Sequence, residues 1–324
     1  MIQRRSMLGA LAGMPLAGRA LAQSGDAWPS RPIRIVVGFA AGGATDITTR
    51  TIAPKLQSLL GQPIIVENRP GGGGNLATEL VVRAAPDGYT LLMGTIGALA
   101  INPTLFGNLT FDPRADLTPI GMAGDILNIL VVPADRPWRS VSDLIAAARA
   151  QPDTLTYGSS GIGGAGHLAG ALLDREAGIR TIHVPYRGGG PMMTDLISGK
   201  VDFAFSTAPT ALPQIEGGRL RAIAVPTAQR SPITGTLPAI SETLPAFEVA
   251  NWYALLGPKN LPVTIVARMG SALQSALRDP EIVAQMARQG TEPRPGAPEE
   301  LARFIREETE KWAPIVRATG ATPN

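Results

Sequence analysis

Ile33-Arg34-Ile35-Val36-Val37-Gly38-Phe39 runs into Ala41-Gly42-Gly43-Ala44-Thr45-Asp46, an apolar stretch that ends in a glycine loop. A helix is expected from that loop to Leu60, and Ile64–Glu67 then gives a second apolar run. Gly71–Gly74 opens another helix, to Ala84, and Tyr89–Met93 supplies a third run. A strand that feeds a helix through a glycine loop is the unit of a parallel α/β sheet. From Leu155 the order returns. It runs Leu155–Ser159, a glycine loop over Gly161–Gly166, a helix to Glu176, Ile182–Tyr186, Gly188–Gly190, a helix to Ile197, and Val201–Phe205. The chain therefore reads as two α/β lobes. The first loop of each lobe stands at a helix N-terminus, where unpaired N–H groups and the helix dipole favour an anion. Two such loops facing each other make a clamp for a small negatively charged ligand.

A length of 324 residues suits two domains, and 17% charged with 44% hydrophobic residues excludes a disordered chain. The first residues read as a leader. Arg4 and Arg5 precede an uncharged, mostly apolar stretch from Ser6 to Gly18, and Ala20-Leu21-Ala22 fits a small-x-small cleavage site. Residues 1–22 are thus expected to be a signal peptide, exported by the Sec or the twin-arginine route. The leader holds Arg4, Arg5 and Arg19 and no acid. The remainder carries 26 bases and 26 acids, so the formal charge of +3 falls to zero. No basic surplus remains to argue for nucleic acid. The absence of cysteine excludes disulfides and thiolate metal sites, and His167 and His183 have no spacing that suits zinc. The expectation is a chain with no cofactor and no metal.

Further strands are expected at Leu117–Met122 and at Leu220–Val225. The run Ile126–Val132 reads as a crossover from the first lobe to the second, and Val249–Leu256 as the return. Ser140-Val141-Ser142-Asp143 caps a helix over Leu144–Arg149. Pro226–Pro245 has no periodicity and reads as a long connection. Helices near Val263–Leu277 and Pro298–Thr319 finish the chain, with Glu307 and Lys311 spaced for an ion pair. Two crossings make a two-strand hinge between lobe 1, residues 23–125 and 247–324, and lobe 2, residues 126–246. Each lobe then holds a five-stranded mixed sheet flanked by helices. Ligands of open α/β sheets bind at the carboxyl ends of the strands, which here places both sets of loops in the cleft between lobes.

Candidate ligand contacts follow from that placement. In the first lobe they are Phe39, Ala41, Gly42, Gly43, Thr45, Asp46 and Thr95. In the second they are Ser159, Ser160, Gly161, Gly163, His167, Arg187, Ser206 and Thr207. Glycine lets backbone N–H groups approach a ligand, hydroxyls donate to a carboxylate, and Arg187 is the one basic side chain placed close by. Asp46 suits a helix cap as well as a ligand contact, and His167 suits a cap or packing. His183 reads as a core residue, and Trp252 as a wall of the cleft or plain core. Gly161-Ile162-Gly163-Gly164-Ala165-Gly166 also matches a dinucleotide fingerprint between a strand and a helix. A rival reading is therefore an exported NADP-linked oxidoreductase, with Arg187 on a 2′-phosphate. The leader and the duplicated lobes argue against it.

The chain resembles the periplasmic substrate-binding proteins of the tripartite tricarboxylate transporters, the Bug proteins. The matching segments are Ala41–Asp46, Val66–Asn75 and Pro86–Leu92 in the first lobe. In the second they are Ser160-Gly161 through Gly170 and His183–Gly188, and Glu310-Lys311-Trp312 fits near the end. The sequence departs from the family where Ala40 replaces a usual proline and Ala171 a frequent glutamate. The resemblance implies a two-lobed type II periplasmic-binding-protein fold and no enzymatic activity. It implies a small carboxylic acid held by main-chain groups of the first loop and ordered water, with the second lobe closing over it. It also implies a periplasmic monomer that delivers its ligand to integral-membrane permease subunits. The same fold would serve a ligand sensor feeding a membrane kinase.

Overall fold

The computed structural model describes residues 28–323. The expected signal peptide and its cleavage site lie outside the described residues. The first lobe opens with β1 (Ile33–Val37), α1 (Ala44–Leu60), β2 (Ile64–Asn68), α2 (Asn75–Val82) and β3 (Thr90–Thr95). A single π turn, Gly97–Ile101, then leads into the short helices α3 (Asn102–Leu105) and α4 (Pro113–Asp116), followed by β4 (Leu117–Ile126). The second lobe contains β5 (Asn128–Pro133), α5 (Val141–Ala150), β6 (Thr156–Ser159), α6 (Ala165–Ala177), β7 (Ile182–Pro185) and α7 (Gly189–Ile197). It continues with β8 (Phe203–Thr207), α8 (Ala208–Glu216) and β9 (Leu220–Ala224). The chain ends on β10 (Trp252–Pro258), α9 (Val263–Arg278), α10 (Pro280–Arg288), β11 (Thr291–Pro293) and α11 (Pro298–Thr319).

The duplication seen in the sequence is a duplication of topology. One sheet has the order β11-β4-β10-β3-β1-β2 and the other β7-β6-β8-β5-β9. In each, the strand that opens the repeat, β1 or β6, lies between two parallel neighbours. Next to these comes one antiparallel strand borrowed across the hinge, β10 in the first sheet and β5 in the second. Central parallel strands bury both faces under helices and so are rich in apolar residues. Ile33, Ile35, Val36 and Val37 of β1 are all buried. The helices stop where the backbone turns left-handed: Gly61 closes α1 with φ 71° and Gly178 closes α6 with φ 60°. Helix α5 starts on the expected capping box of Ser140 and Asp143.

The crossings are tight. Only Leu127 separates β4 in the first sheet from β5 in the second. The return strand lies against it, where the Ile126 N–H donates to the Asn251 carbonyl and Asn251 Nδ2 donates to Asn128 Oδ1 at 3.1 Å.

Three expectations are corrected. The first sheet has six strands, because the three-residue β11 pairs antiparallel with the outer edge of β4. The run Leu117–Met122 extends to Ile126, which gives β11 its partner. Glu307 and Lys311 do not pair with each other: Glu307 faces Arg303 at 3.7 Å, and Lys311 reaches Glu248 at 3.6 Å. Helix α11 also packs against both β4 and α6, so it touches both lobes.

Candidate functional site

The carboxyl ends of the parallel strands of both sheets meet around a small, partly open cavity of about 40 Å³. The first turn of α1 supplies Gly43, Ala44 and Thr45, and the first turn of α6 supplies Gly164, Ala165 and Gly166. Gly189 at the start of α7 and Thr207 at the start of α8 complete a ring of four helix N-termini. No side chain caps any of the four. Of the helices that start away from the cavity, Ser140 caps α5 and Asp279 caps α10, while α2 and α9 also begin without a side-chain cap. At α8 the Ala208 N–H is taken by the Leu127 carbonyl at 2.7 Å, but the first-turn N–H groups of α1 and α6 are left to whatever occupies the cavity. Thr95, Ser160 and Ser206 add hydroxyls, and Asn251 and Tyr253 enter from the return crossover. Phe39, Ile96, Met192 and Phe205 make the apolar part of the wall. Among the described residues, no Lys, Arg, His, Asp or Glu lines it.

Of the residues expected from sequence, Phe39, Gly43, Thr45, Thr95, Ser160, Ser206 and Thr207 line this cavity. Ala41, Gly42, Asp46, Ser159, Gly161, Gly163, His167 and Arg187 do not. Most of these build the loops instead. The Asp46 carboxylate accepts from the Gly42 N–H and from Arg50 Nε, both at 2.9 Å. Burial acts to raise its pKa, but the bonds from Arg50, Gly42 and Asn68 outweigh burial and hold it below the usual carboxylate range. Arg50 also donates to Asn68, whose amide holds the Phe39 carbonyl at 3.0 Å. Gly42 carries the positive φ of this turn, 77°. Gly43 is extended at φ −79° and ψ 164°, so glycine there is needed for space and not for its backbone angles.

The second loop is held by Ser159 and His167. Ser159 Oγ bonds the backbone of Gly161 and sits 2.7 Å from His183 Nε2. His167 Nδ1 accepts from the Gly163 N–H at 3.1 Å. The two imidazoles stack with centroids 4.0 Å apart. Burial lowers the pKa of His167 to about 4; burial and then the neighbouring His167 lower that of His183 to about 3. Both rings are neutral at physiological pH, as the acceptor role of His167 requires. Trp252 is fully buried and stands away from the cavity, with its indole N–H on Glu308 at 2.9 Å. Sequence reasoning missed Asn251, Tyr253 and Met192, which arrive from the return crossover and from α7. Burial pushes the Tyr253 hydroxyl up to about 12, against bonds to Thr45 and Asn251 that lower it.

The lobes meet in a seam of glycines beside the cavity. A Cβ on Gly73 would collide with the Ile162 carbonyl, and one on Gly163 with Asn102 Oδ1. A Cβ on Gly97 would come within 2.9 Å of the Gly163 carbonyl oxygen, and one on Gly188 within 2.9 Å of the Ala40 nitrogen. The Ala40 N–H donates to the Arg187 carbonyl across this seam at 2.9 Å. Several of the glycines therefore serve contact between lobes. Both lobes thus wall the cavity.

Residues 48–321 match the family model described as the tripartite tricarboxylate transporter family receptor. The chain is 34% identical over 307 residues to the protein BugT of Bordetella pertussis, with 94% of each chain covered. Its fold is similar to that of the R. palustris protein Rpa4515 with adipate, at TM-score 0.89 and 34% identity over 91% of this chain and 99% of that one. MatC from Rhodopseudomonas palustris with bound malate gives a TM-score of 0.86 and 32% identity over 89% and 100%.

Proposed function

This chain belongs to the tripartite tricarboxylate transporter receptor family, and we propose that it captures a small carboxylic acid in the cavity between its lobes. The observation that carries this reading is the ring of four uncapped helix N-termini around a cavity with no charged side chain. N–H groups and hydroxyls alone must meet the ligand, and together they favour a carboxylate. Relatives of the same fold bound to adipate and malate support that class. The family is one of receptors, so the NADP-linked oxidoreductase reading falls. The fingerprint loop Gly161–Gly166 instead packs in the seam between the lobes, where Gly163 stands against Asn102.

The contacts proposed are Phe39, Gly43, Thr45, Thr95, Ser160, Ser206 and Thr207. Residues 23–125 and 247–324 form lobe 1 and residues 126–246 lobe 2, hinged at Leu127 and Asn251. Ligand binding favours the closed form by its differential affinity for the two states. That form, on a periplasmic monomer, is what membrane permease subunits would recognise. Among the described residues no helix is long and apolar enough to cross a membrane.

A thermal-shift panel on ligand-stripped protein tests the class. Carboxylic acids should stabilise the protein, by about 2.7 kcal/mol at a hundred times Kd, while their primary amides and neutral sugars leave the melting temperature unchanged. Stabilisation by a sugar and by no acid would overturn the reading.

A further inference from the structure

A second, larger cavity of about 370 Å³ lies beside the first. It is lined by Pro70–Gly74 of the first lobe and by Gly161, Ile162, Pro185, Tyr186 and Arg187 of the second. The two cavities share two wall residues, Phe39 and Ser160. Phe39 is buried, and its ring stands between two glycines of opposite lobes. A Cβ on Gly74 would be 3.5 Å from Phe39 Cε2 and 3.6 Å from Cζ, and one on Gly161 would be 3.7 Å from Cε1. The ring thus fills the passage that the missing side chains of Gly74 and Gly161 leave open. The chambers also differ in charge. The inner one holds no charged side chain, whereas Arg187 stands exposed on the outer one. Its guanidinium has no ion-pair or hydrogen-bond partner among the described residues.

We propose that Phe39 is a partition that sets ligand length. The inner chamber takes a compact acid with a single carboxylate, and removal of the ring joins it to an outer chamber where Arg187 meets a second, distal carboxylate. This inference rests on the functional reading above and adds a limit on ligand size. The inner volume accommodates roughly three water-sized groups, which is room for the carboxylate head of a compact acid and excludes an extended adipate. The outer chamber has both the room and the unpaired cation for the far end of a longer dianion.

The test is calorimetry of lactate, adipate and monomethyl adipate on the ligand-stripped protein, on Phe39→Ala and on Phe39→Leu. Phe39→Leu keeps the site apolar in case the alanine variant folds poorly, and circular dichroism establishes folding. The unaltered protein should prefer lactate. Phe39→Ala should move the adipate-to-lactate affinity ratio toward adipate by roughly tenfold or more, with Phe39→Leu between. In the Phe39→Ala protein adipate should outbind its monomethyl ester, and a further Arg187→Gln change should erase that difference. An unaltered protein that binds adipate as tightly as lactate overturns the partition and leaves the functional reading intact. So does a ratio that both variants leave unchanged, or an ester that binds as well as the diacid. Failure of every acid to bind the unaltered protein contradicts the functional reading itself, and this inference with it.

Discussion

Thr45 and Asp46 are neighbours with opposite duties. Successive helix residues point about 100° apart, so Thr45 faces the cavity while Asp46 turns back to Gly42 and Arg50. The sequence makes the helix start legible at this loop but not which of its side chains looks inward. His167 is the same case: its place after a glycine loop is plain, yet its bond to the Gly163 N–H makes it part of the scaffold. The histidine pair carries a pH prediction. Both folded pKa values, about 4 and about 3, lie below the ordinary value of 6.5. The unfolded chain therefore binds more protons than the folded one below pH about 6.5. Stability is fully present above that pH and falls as pH drops toward 4, by up to about 1.4 kcal/mol per pH unit for each histidine. Urea unfolding between pH 7 and pH 5 should show this slope, and His183→Gln should roughly halve it. An unchanged slope in that variant would mean that other groups cause it.

At the scale of elements, strands buried on both faces announce themselves, because β3 and β8 hold the unbroken apolar runs Leu91–Met93 and Phe203–Phe205 and Arg34 alone interrupts β1. The duplicated order of glycine loops makes the strand sequence of each lobe legible too. Strand β11 is not. It has three residues, Thr291–Pro293, and exists because β4 continues to Ile126 and offers it an edge. Helix α11 shows the limit from the other side. Its amphipathic face is plain, but its partners come from both lobes. Glu308, set among the charged residues of α11, is nevertheless 7% exposed and accepts from Trp252 Nε1 at 2.9 Å and Trp312 Nε1 at 3.2 Å. It thereby ties the last helix to the strand that returns from the hinge. Glu308→Leu leaves two buried indole donors unpaired and should cost about 1–3 kcal/mol for each. Chemical denaturation measures this as a lower midpoint. A variant as stable as the parent would mean that the indoles find other acceptors.

In the whole molecule, two sheets of matched topology exchange one strand each across the hinge, and their carboxyl ends face one another. That arrangement follows from the repeat in the sequence. The contacts across the closed seam do not, because they join Gly73 with Ile162 and Ala40 with Gly188, pairs remote along the chain. The central claim is that a carboxylate is held by backbone N–H groups where the helices converge. Amide chemical shifts read this directly, on isotopically labelled, ligand-stripped protein titrated with the acid that gives the largest thermal shift. The account predicts the largest amide changes at the first turns of α1 and α6, at Ala44, Thr45, Ala165 and Gly166. Changes confined to the exposed rim around Arg187, with these amides unmoved, would contradict it.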